Sequence, residues 1–423
     1  MRQIQQGSVA ALLLIAVIGW TGVGAGAEQQ PGSEQQTASE HAVATDQQTG
    51  ADQGLAISHG PYLQQFTETS ATIIWFTNQK SVSWVEYGKA DNLSSFPTYG
   101  SVVKTARNSQ QGLIDANTRF HKITISGLEP GGEYRYRVFS KEILEFRPYE
   151  VTFGSTIASD VLGFSTLDPG KETFSFVALT DIHGDAERLD AKLDAISWED
   201  VDMVFYTGDS VDYFEDAVGI FDGFLDTSVA HFAGRVPLMF VRGNHETRGS
   251  FARDLADYFP TTTGKYYFSF DHGPVHFIVL DTGEDKEDSA PVYAGLVDFD
   301  AFRREQAEWL AAEMKTEAFQ RAAFRVAIFH IPPYGTRDAH GTLHVREMWN
   351  ELLNEAGVDL VLNGHTHRFA RLDPTEGEHL YPIVIAGKEH TTRVDVSGAE
   401  LRVTITDEDG QVVDSFVLAA KGR

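Results

Sequence analysis

Five apolar segments of this sequence each end directly in polar side chains that can bind metal ions. The segments 174–179, 201–206, 236–241, 324–329 and 358–362 have the composition of buried strands. They are followed in turn by Asp181 and His183, by Asp209 and Asp212, by Asn244, His245 and Glu246, by His330, and by His365 and His367. In open α/β sheets the ligand site lies beyond the carboxyl ends of the strands. We therefore expect the five clusters to converge on one site.

Helical spacing between these segments indicates an α/β arrangement. Leu189, Leu193 and Ile196 recur at helical intervals in 185–196, and the segments 301–316 and 343–356 also predict helices. The segment 401–406, an acidic turn ending at Gly410 and the residues from Val412 onward predict a hairpin. Residues 168–423 are therefore predicted to form one mixed, layered α/β domain.

The stretch 55–167 has a different pattern, in which short strands alternate with Gly- and Pro-containing turns. The run 71–76 is β-branched and aromatic, and polar and apolar residues alternate in 121–125 before a turn at 127–132. Short strands at regular spacing predict a β-sandwich. Residues 28–54 have almost no large apolar side chain, so they are predicted to form a disordered linker.

The first residues predict export. Arg2 precedes an apolar run at 9–20, and small residues follow up to Ala27, which is the order of a secretory signal peptide. A secreted or periplasmic location is expected, with no membrane span after cleavage of residues 1–27. The apolar run is short for a membrane span, although an uncleaved amino-terminal anchor is the alternative.

Charge and cysteine content restrict the chemistry. The formal net charge is −27 and no basic block exists, so binding to a nucleic-acid backbone is not expected. The sequence contains no Cys, which excludes a thiol nucleophile and thiolate ligands. The oxygen and imidazole ligands that remain suit Mn, Fe, Zn, Co or Ni better than Ca. They are too many for one ion, so two ions roughly 3.5–4 Å apart, bridged by a carboxylate, are expected.

The order D-x-H, G-D-x-x-D, G-N-H-E, H, G-H-x-H resembles the calcineurin-like metallophosphoesterases from about Phe174 to the final hairpin. The resemblance implies a double β-sandwich flanked by helices. It also implies a role for each cluster residue: Asp181, His183 and His367 bind the first metal, Asn244, His330 and His365 bind the second, Asp209 bridges them, and His245 faces the substrate. His245 would stabilise the phosphoryl oxygens or protonate the leaving group.

The whole chain resembles the purple acid phosphatases, which place a fibronectin-type sandwich before such a domain. The sequence departs from them at two positions, because Asp212 replaces their Tyr ligand and His183 replaces a Gly. The iron–tyrosinate colour is therefore not expected, and the metals are expected to be two divalent or mixed-valence ions of Fe, Mn or Zn. Asp212 is expected to orient a ligand. The resemblance suggests His340 for substrate binding and the sequence suggests Arg242, although both could be surface residues.

These features predict hydrolysis of a small phosphate ester by a hydroxide held between two metal ions, as in an acid phosphatase acting on monoesters. Two alternatives are open. One is a phosphodiesterase acting on nucleotides or lipid head groups, because the ligand set does not separate the two activities. The other is an exported binding or adhesion protein with an inactive phosphoesterase domain.

Overall fold

The computed structural model describes residues 54–90 and 103–421. The predicted signal peptide and nearly all of the predicted linker lie outside these residues. No helix within the described ranges has the length and apolarity needed to span a bilayer.

The amino-terminal part is all β. Its strands are β1 (Ile57–Gln64), β2 (Ser70–Lys89), β3 (Lys104–Ala106), β4 (Ser109–Gln110), β5 (Leu113–Ile114), β6 (Thr118–Ser126), β7 (Glu133–Arg147), β8 (Glu150–Ala158) and β9 (Leu162–Ser165). The long strand β2 pairs with β1 and β6 in its first half and with β7 and β3 in its second half. Residues 71–77 of β2 are all buried, Trp75 among them, whereas buried and partly exposed residues alternate from Ser81 to Tyr87, where one face of the sheet packs on the core.

Two six-stranded sheets form the rest of the protein. The first contains β10 (Phe174–Leu179), β11 (Val201–Thr207), β12 (Leu238–Val241), β19 (Thr391–Val396), β20 (Glu400–Thr406) and β21 (Val412–Ala419), in the order β12-β11-β10-β19-β20-β21. The second contains β13 (Phe268–His272), β14 (Val275–Val279), β15 (Phe324–Ile328), β16 (Leu360–Asn363), β17 (Ala370–Leu372) and β18 (Ile383–Ile385), in the order β13-β14-β15-β16-β18-β17. Within them β10, β11 and β12 run parallel, as do β14, β15, β16 and β18.

The helices are α1 (Ala186–Asp194), α2 (Val218–Ile220), α3 (Asp226–His231), α4 (Leu255–Tyr258), α5 (Phe299–Glu313), α6 (Glu317–Arg321) and α7 (His340–Glu355). The helix α7 begins three residues earlier than the sequence predicts, so His340 is its first residue and does not lie in the preceding loop.

The core is arranged in layers. Phe176, Phe205 and Phe277 share one cluster between the two six-stranded sheets. The next residues along the strands point outward, where Val177 packs near α1 in one cluster and Ala327 packs near α5 and α7 in another. Strands buried on both faces are typical of parallel sheets covered by helices. The predicted mixed α/β fold with an amino-terminal β region is confirmed.

Candidate metal centre

The five polar clusters that follow the strands come together. β10, β11 and β12 end beside one another in the first sheet, and β15 and β16 end beside one another in the second. The clusters meet because parallel strands present their carboxyl ends at the same edge of a sheet. All seven residues that the sequence proposes as ligands lie at this edge: Asp181, His183, Asp209, Asn244, His330, His365 and His367.

One group of these side chains surrounds the ring of His183. Its Nε2 atom lies 3.0 Å from Nε2 of His367 and 3.8 Å from Oδ1 of Asp181. The ligand atoms of these three residues lie within 4.8 Å of one another. Oδ2 of Asp209 is 4.0 Å from the same His183 nitrogen. Four side chains from three loops thus face one point.

A second group surrounds His330. Its Nε2 atom lies 2.9 Å from Oδ2 of Asp209, and the ligand atoms of Asp209, His330 and His365 lie within 4.8 Å of one another. Oδ1 of Asn244 is 3.1 Å from Nδ1 of His365. The same oxygen of Asp209 therefore approaches both groups.

The donor set fits metal ions. Nδ1 of His330 donates to the carbonyl oxygen of Thr207 at 2.8 Å, which leaves Nε2 directed toward Asp209. Nε2 is buried and, within the described ranges, has no hydrogen-bond partner, because its close approach to the carboxylate lacks hydrogen-bond geometry. Asp181 and Asp209 are almost completely buried carboxylates. Buried charges are normally paired or coordinate metals, so a cation suits this position.

The side chains of the second group shift one another's pKa values. Burial lowers the pKa of His330, but the Asp209 carboxylate outweighs burial and raises this pKa to about 10. Burial acts against the charge of Asp209, yet His330 and then His245 hold the pKa of its carboxyl well below its usual range. Burial, followed by the charge of His330, lowers the pKa of His365 to about 4. Positive charge is thus favoured at His330, beside the carboxylate of Asp209.

Most of the proposed ligands have a backbone conformation that side chains rarely adopt. Positive φ angles occur at Asp181 (53°), His183 (52°), Asp209 (55°), His365 (75°) and His367 (59°). Such residues cost of order 1–3 kcal/mol each and cluster at functional sites. Neighbouring glycines permit the close approach of the loops: a Cβ on Gly364 would lie 1.9 Å from Oγ1 of Thr180.

Asp212 and His245 contact the centre from one side. Oδ1 of Asp212 accepts a hydrogen bond from Nδ1 of His183 at 2.7 Å, which directs Nε2 of His183 toward the first group. The backbone N–H of His245 donates to Oδ1 of Asp209 at 2.9 Å, and its ring Nδ1 lies 2.8 Å from the carbonyl oxygen of Asp212. Burial lowers the pKa of His245. Tyr213, which directly follows Asp212 in the sequence, is 58% exposed.

Glu246 has a structural role that is not predicted from the sequence. Its buried carboxylate accepts hydrogen bonds from the backbone N–H groups of Asp209, Ser210 and Gly243 at 2.9, 2.6 and 2.8 Å. It therefore joins the loops after β11 and β12. Burial and the charge of Asp209 raise the pKa of Glu246 to about 7. The position of Glu246 in the G-N-H-E motif is the sequence feature that could have indicated this role.

Two residues suggested for substrate binding are not among these groups. Nε2 of His340 donates to Oδ1 of Asp300 at 2.7 Å, and the two residues form a group with His344 that includes none of the seven. Nε of Arg242 donates to the buried carboxylate of Asp281 at 2.6 Å, and its guanidinium lies 4.4 Å from the ring centroid of Tyr266. Both side chains are thus engaged with other partners.

Comparisons with known proteins agree with this architecture. Residues 174–369 match the family model of the calcineurin-like phosphoesterases, and residues 61–156 match that of the purple acid phosphatase N-terminal domain. A purple acid phosphatase from yellow lupin (Lupinus luteus) seeds shares the fold with a TM-score of 0.62 at 18% identity, covering 86% of this chain and 74% of the lupin chain.

Sequence relatives include two proteins of Arabidopsis thaliana. Purple acid phosphatase 22 is 29% identical over 48% of this chain and 46% of its own length, and purple acid phosphatase 21 is 26% identical over 69% and 61%. The chain thus spans roughly half to three fifths of the length of these relatives. It contains a calcineurin-like phosphoesterase domain preceded by a purple acid phosphatase N-terminal domain.

Proposed function

We propose that this chain hydrolyses small phosphate monoesters with two metal ions bound at the ends of its parallel strands. One observation carries the proposal: two groups of ligand atoms, each within 4.8 Å, approach the same oxygen of Asp209. That arrangement suits two ions that share one carboxylate. The first ion would be held by Asp181, His183 and His367, the second by Asn244, His330 and His365, and Asp209 would contact both.

Bound ions of this kind neutralise phosphoryl charge and lower the pKa of water so that it attacks near neutral pH. Other residues of the protein position the proposed ligands. Asp212 fixes the ring of His183, and Glu246 keeps the loop of Asp209 against that of Asn244. His245 lies beside this centre, because its backbone N–H is hydrogen-bonded to Asp209 and its ring centroid lies 4.8 Å from that of His183, so it would help to stabilise the phosphoryl oxygens or to protonate the leaving group.

A small substrate agrees with the charge of the molecule. The net charge of −27 repels extended polyanions, whereas a single phosphate group can reach a cationic centre of limited size. Fe, Mn and Zn are the metals that the donor set favours. Export to the periplasm or the cell exterior rests on residues 1–27 alone.

The test is a steady-state assay of protein loaded separately with Fe, Mn or Zn. The substrates are 4-nitrophenyl phosphate, an alkyl phosphate and bis(4-nitrophenyl) phosphate. We expect kcat/KM to be highest for the monoesters. Faster hydrolysis of the diester would replace the monoesterase assignment with a phosphodiesterase. Protein that binds two ions and hydrolyses none of the three would favour the inactive binding protein.

A further inference from the structure

Arg248 reaches the centre from a 3₁₀ turn that follows Asn244. Its Nε and Nη2 atoms donate to the two carboxylate oxygens of Glu284, each at 2.9 Å. Glu284 is buried, and Thr247 donates to it as well at 3.1 Å. A guanidinium held in this two-pronged manner has a fixed plane and direction.

The third contact of Arg248 is with His245. Nη1 of Arg248 lies 2.9 Å from Nε2 of the imidazole. A guanidinium only donates, so this ring nitrogen is the acceptor. Nδ1 of the same ring lies 2.8 Å from the carbonyl oxygen of Asp212, which only accepts, so Nδ1 carries the hydrogen. The two partners together specify a neutral His245 whose proton points away from Arg248.

Arg248 keeps donors that face no protein acceptor. Of its five N–H groups, two donate to Glu284 and one donates to His245. The nearest further carboxylate, that of Asp285, is 3.9 Å from Nη2, which is too far for a hydrogen bond. Within the described part of the chain the second N–H of Nη1 has no acceptor. The side chain is 32% exposed, so a ligand can reach it.

We propose that Arg248 is a phosphate-binding residue, which donates from Nη1 to a phosphoryl oxygen of the substrate while Glu284 and His245 hold its plane. This inference rests on the proposed function and adds the group that grips the substrate. Arginine suits the task because its guanidinium stays charged and can donate to Glu284, to His245 and to a phosphoryl oxygen at once from one rigid plane. The fixed cation also lies beside the centre, with His245 Nε2 only 3.8 Å from Oδ2 of Asp209.

The arrangement also selects between the two roles implied for His245. A ring that accepts from Arg248 has no proton on Nε2 to give to a leaving group. His245 is therefore a positioning residue for Arg248, and it contributes to stabilising the phosphoryl oxygens through Arg248. His245→Ala should then reduce kcat/KM by the same factor for 4-nitrophenyl phosphate and for an alkyl phosphate. A clearly larger loss on the alkyl phosphate, whose leaving group needs a proton, would contradict this role.

The direct test measures equilibrium binding of inorganic phosphate to the metal-loaded protein by calorimetry. We expect Arg248→Met to weaken phosphate binding about 10- to 100-fold, the range for a lost charge-assisted hydrogen bond. Arg248→Lys should recover part of the loss as a point charge without the fork. The variant R248M/E284Q removes both charges, so that no buried carboxylate is left unpaired, and should show the same loss. Metal content should equal that of the parent protein.

Arg253→Met is the matched control, because it removes an exposed positive charge five residues away. It should leave phosphate affinity unchanged. The proposal for Arg248 would be overturned by unchanged phosphate affinity in Arg248→Met, or by loss of metal in both Arg248→Met and R248M/E284Q. In either case, hydrolysis by the parent protein would still support the proposed function. A metal-loaded parent protein that hydrolyses no phosphoester would instead remove the proposed function and, with it, the substrate role of Arg248.

Discussion

At the scale of single residues, hydrogen bonds to neighbouring groups fix the orientation of the side chains that form the centre. Oδ1 of Asp209 is occupied by the backbone N–H of His245, so only Oδ2 is directed at both His183 and His330. Nδ1 of His183 is likewise occupied by Asp212. Hydrogen bonds of this kind fix which atom of each ligand faces the metal.

Asp209→Asn should lower metal content and activity together. The amide keeps the shape of the side chain but removes the charge that would be shared between two ions. Elemental analysis and the monoester assay on the same sample measure both effects. Retention of both metals in this variant would remove Asp209 from the shared position.

Asp212→Asn should weaken metal binding without abolishing it. The carboxylate that orients His183 would become a neutral amide, and changes of this kind typically cost about 10- to 100-fold in metal affinity. Competition with a chelator of known affinity gives the measurement. An affinity equal to that of the parent protein would show that the 2.7 Å contact with His183 has no influence on the metal.

At the scale of elements, the sequence predicts those strands whose apolar residues and following ligand residues are adjacent in the chain. The apolar runs of β10, β11, β12, β15 and β16, each followed by Asp, Asn or His, are visible in the sequence, and their residues converge in the structure. β13 and β14 are not predicted from the sequence; both are five-residue strands, and they contain the polar residues Asp271 and His276. β14 becomes a strand through its pairing with β15, which lies about 50 residues further along the chain.

The contact of Arg248 with Glu284 is also hidden in the sequence. The two residues are 36 positions apart and belong to no shared motif. The spacing of charged residues cannot indicate such a pair, since only the fold brings the two loops together. The same holds for His340, whose partner Asp300 lies 40 positions away on α5.

Gly364→Ala should separate two of the strand-end loops. An added Cβ would lie 1.9 Å from Oγ1 of Thr180 and 2.8 Å from Oδ2 of Asp181, so the loops after β10 and β16 would have to move apart. We expect metal content and monoester hydrolysis to fall sharply. Gly398→Ala is the control, because a Cβ there meets no atom within 4 Å. Equal metal content in the two variants would contradict the role of this close approach.

At the scale of the whole molecule, the amino-terminal sheet and the α/β region share core residues. Tyr62 and Phe76 belong to the same buried cluster as Phe221 and Tyr258. The hydroxyl of Tyr62 donates to the carbonyl oxygen of Tyr258 at 2.9 Å. Shared apolar burial of this kind should make the two regions unfold together.

Acid should destabilise this assembly in part through His121. Its buried ring lies 2.9 Å from Oγ1 of Thr77 and 3.0 Å from Oγ of Ser81, and burial lowers its pKa to about 3. Because the unfolded chain takes up the proton near pH 6.5, stability falls as the pH falls from about 6.5 to about 3. His121 should thus account for about 2 kcal/mol of lost stability between pH 7 and pH 5.

Urea unfolding of the parent protein and of His121→Gln at both pH values isolates this contribution. Glutamine can still bond to the two hydroxyl groups but does not titrate. The loss of unfolding free energy between pH 7 and pH 5 should therefore be smaller in the variant. The same loss in both proteins would exclude His121 as the cause.

The proposed function requires that one chain binds two metal ions and uses them in phosphoester hydrolysis. The most direct measurement is the metal content per chain of protein purified in its active form, determined by elemental analysis alongside monoester activity. We predict two ions per chain, with activity that disappears on chelation and returns as the second site is refilled. Full activity with one ion or none per chain would contradict a mechanism that requires two metal ions.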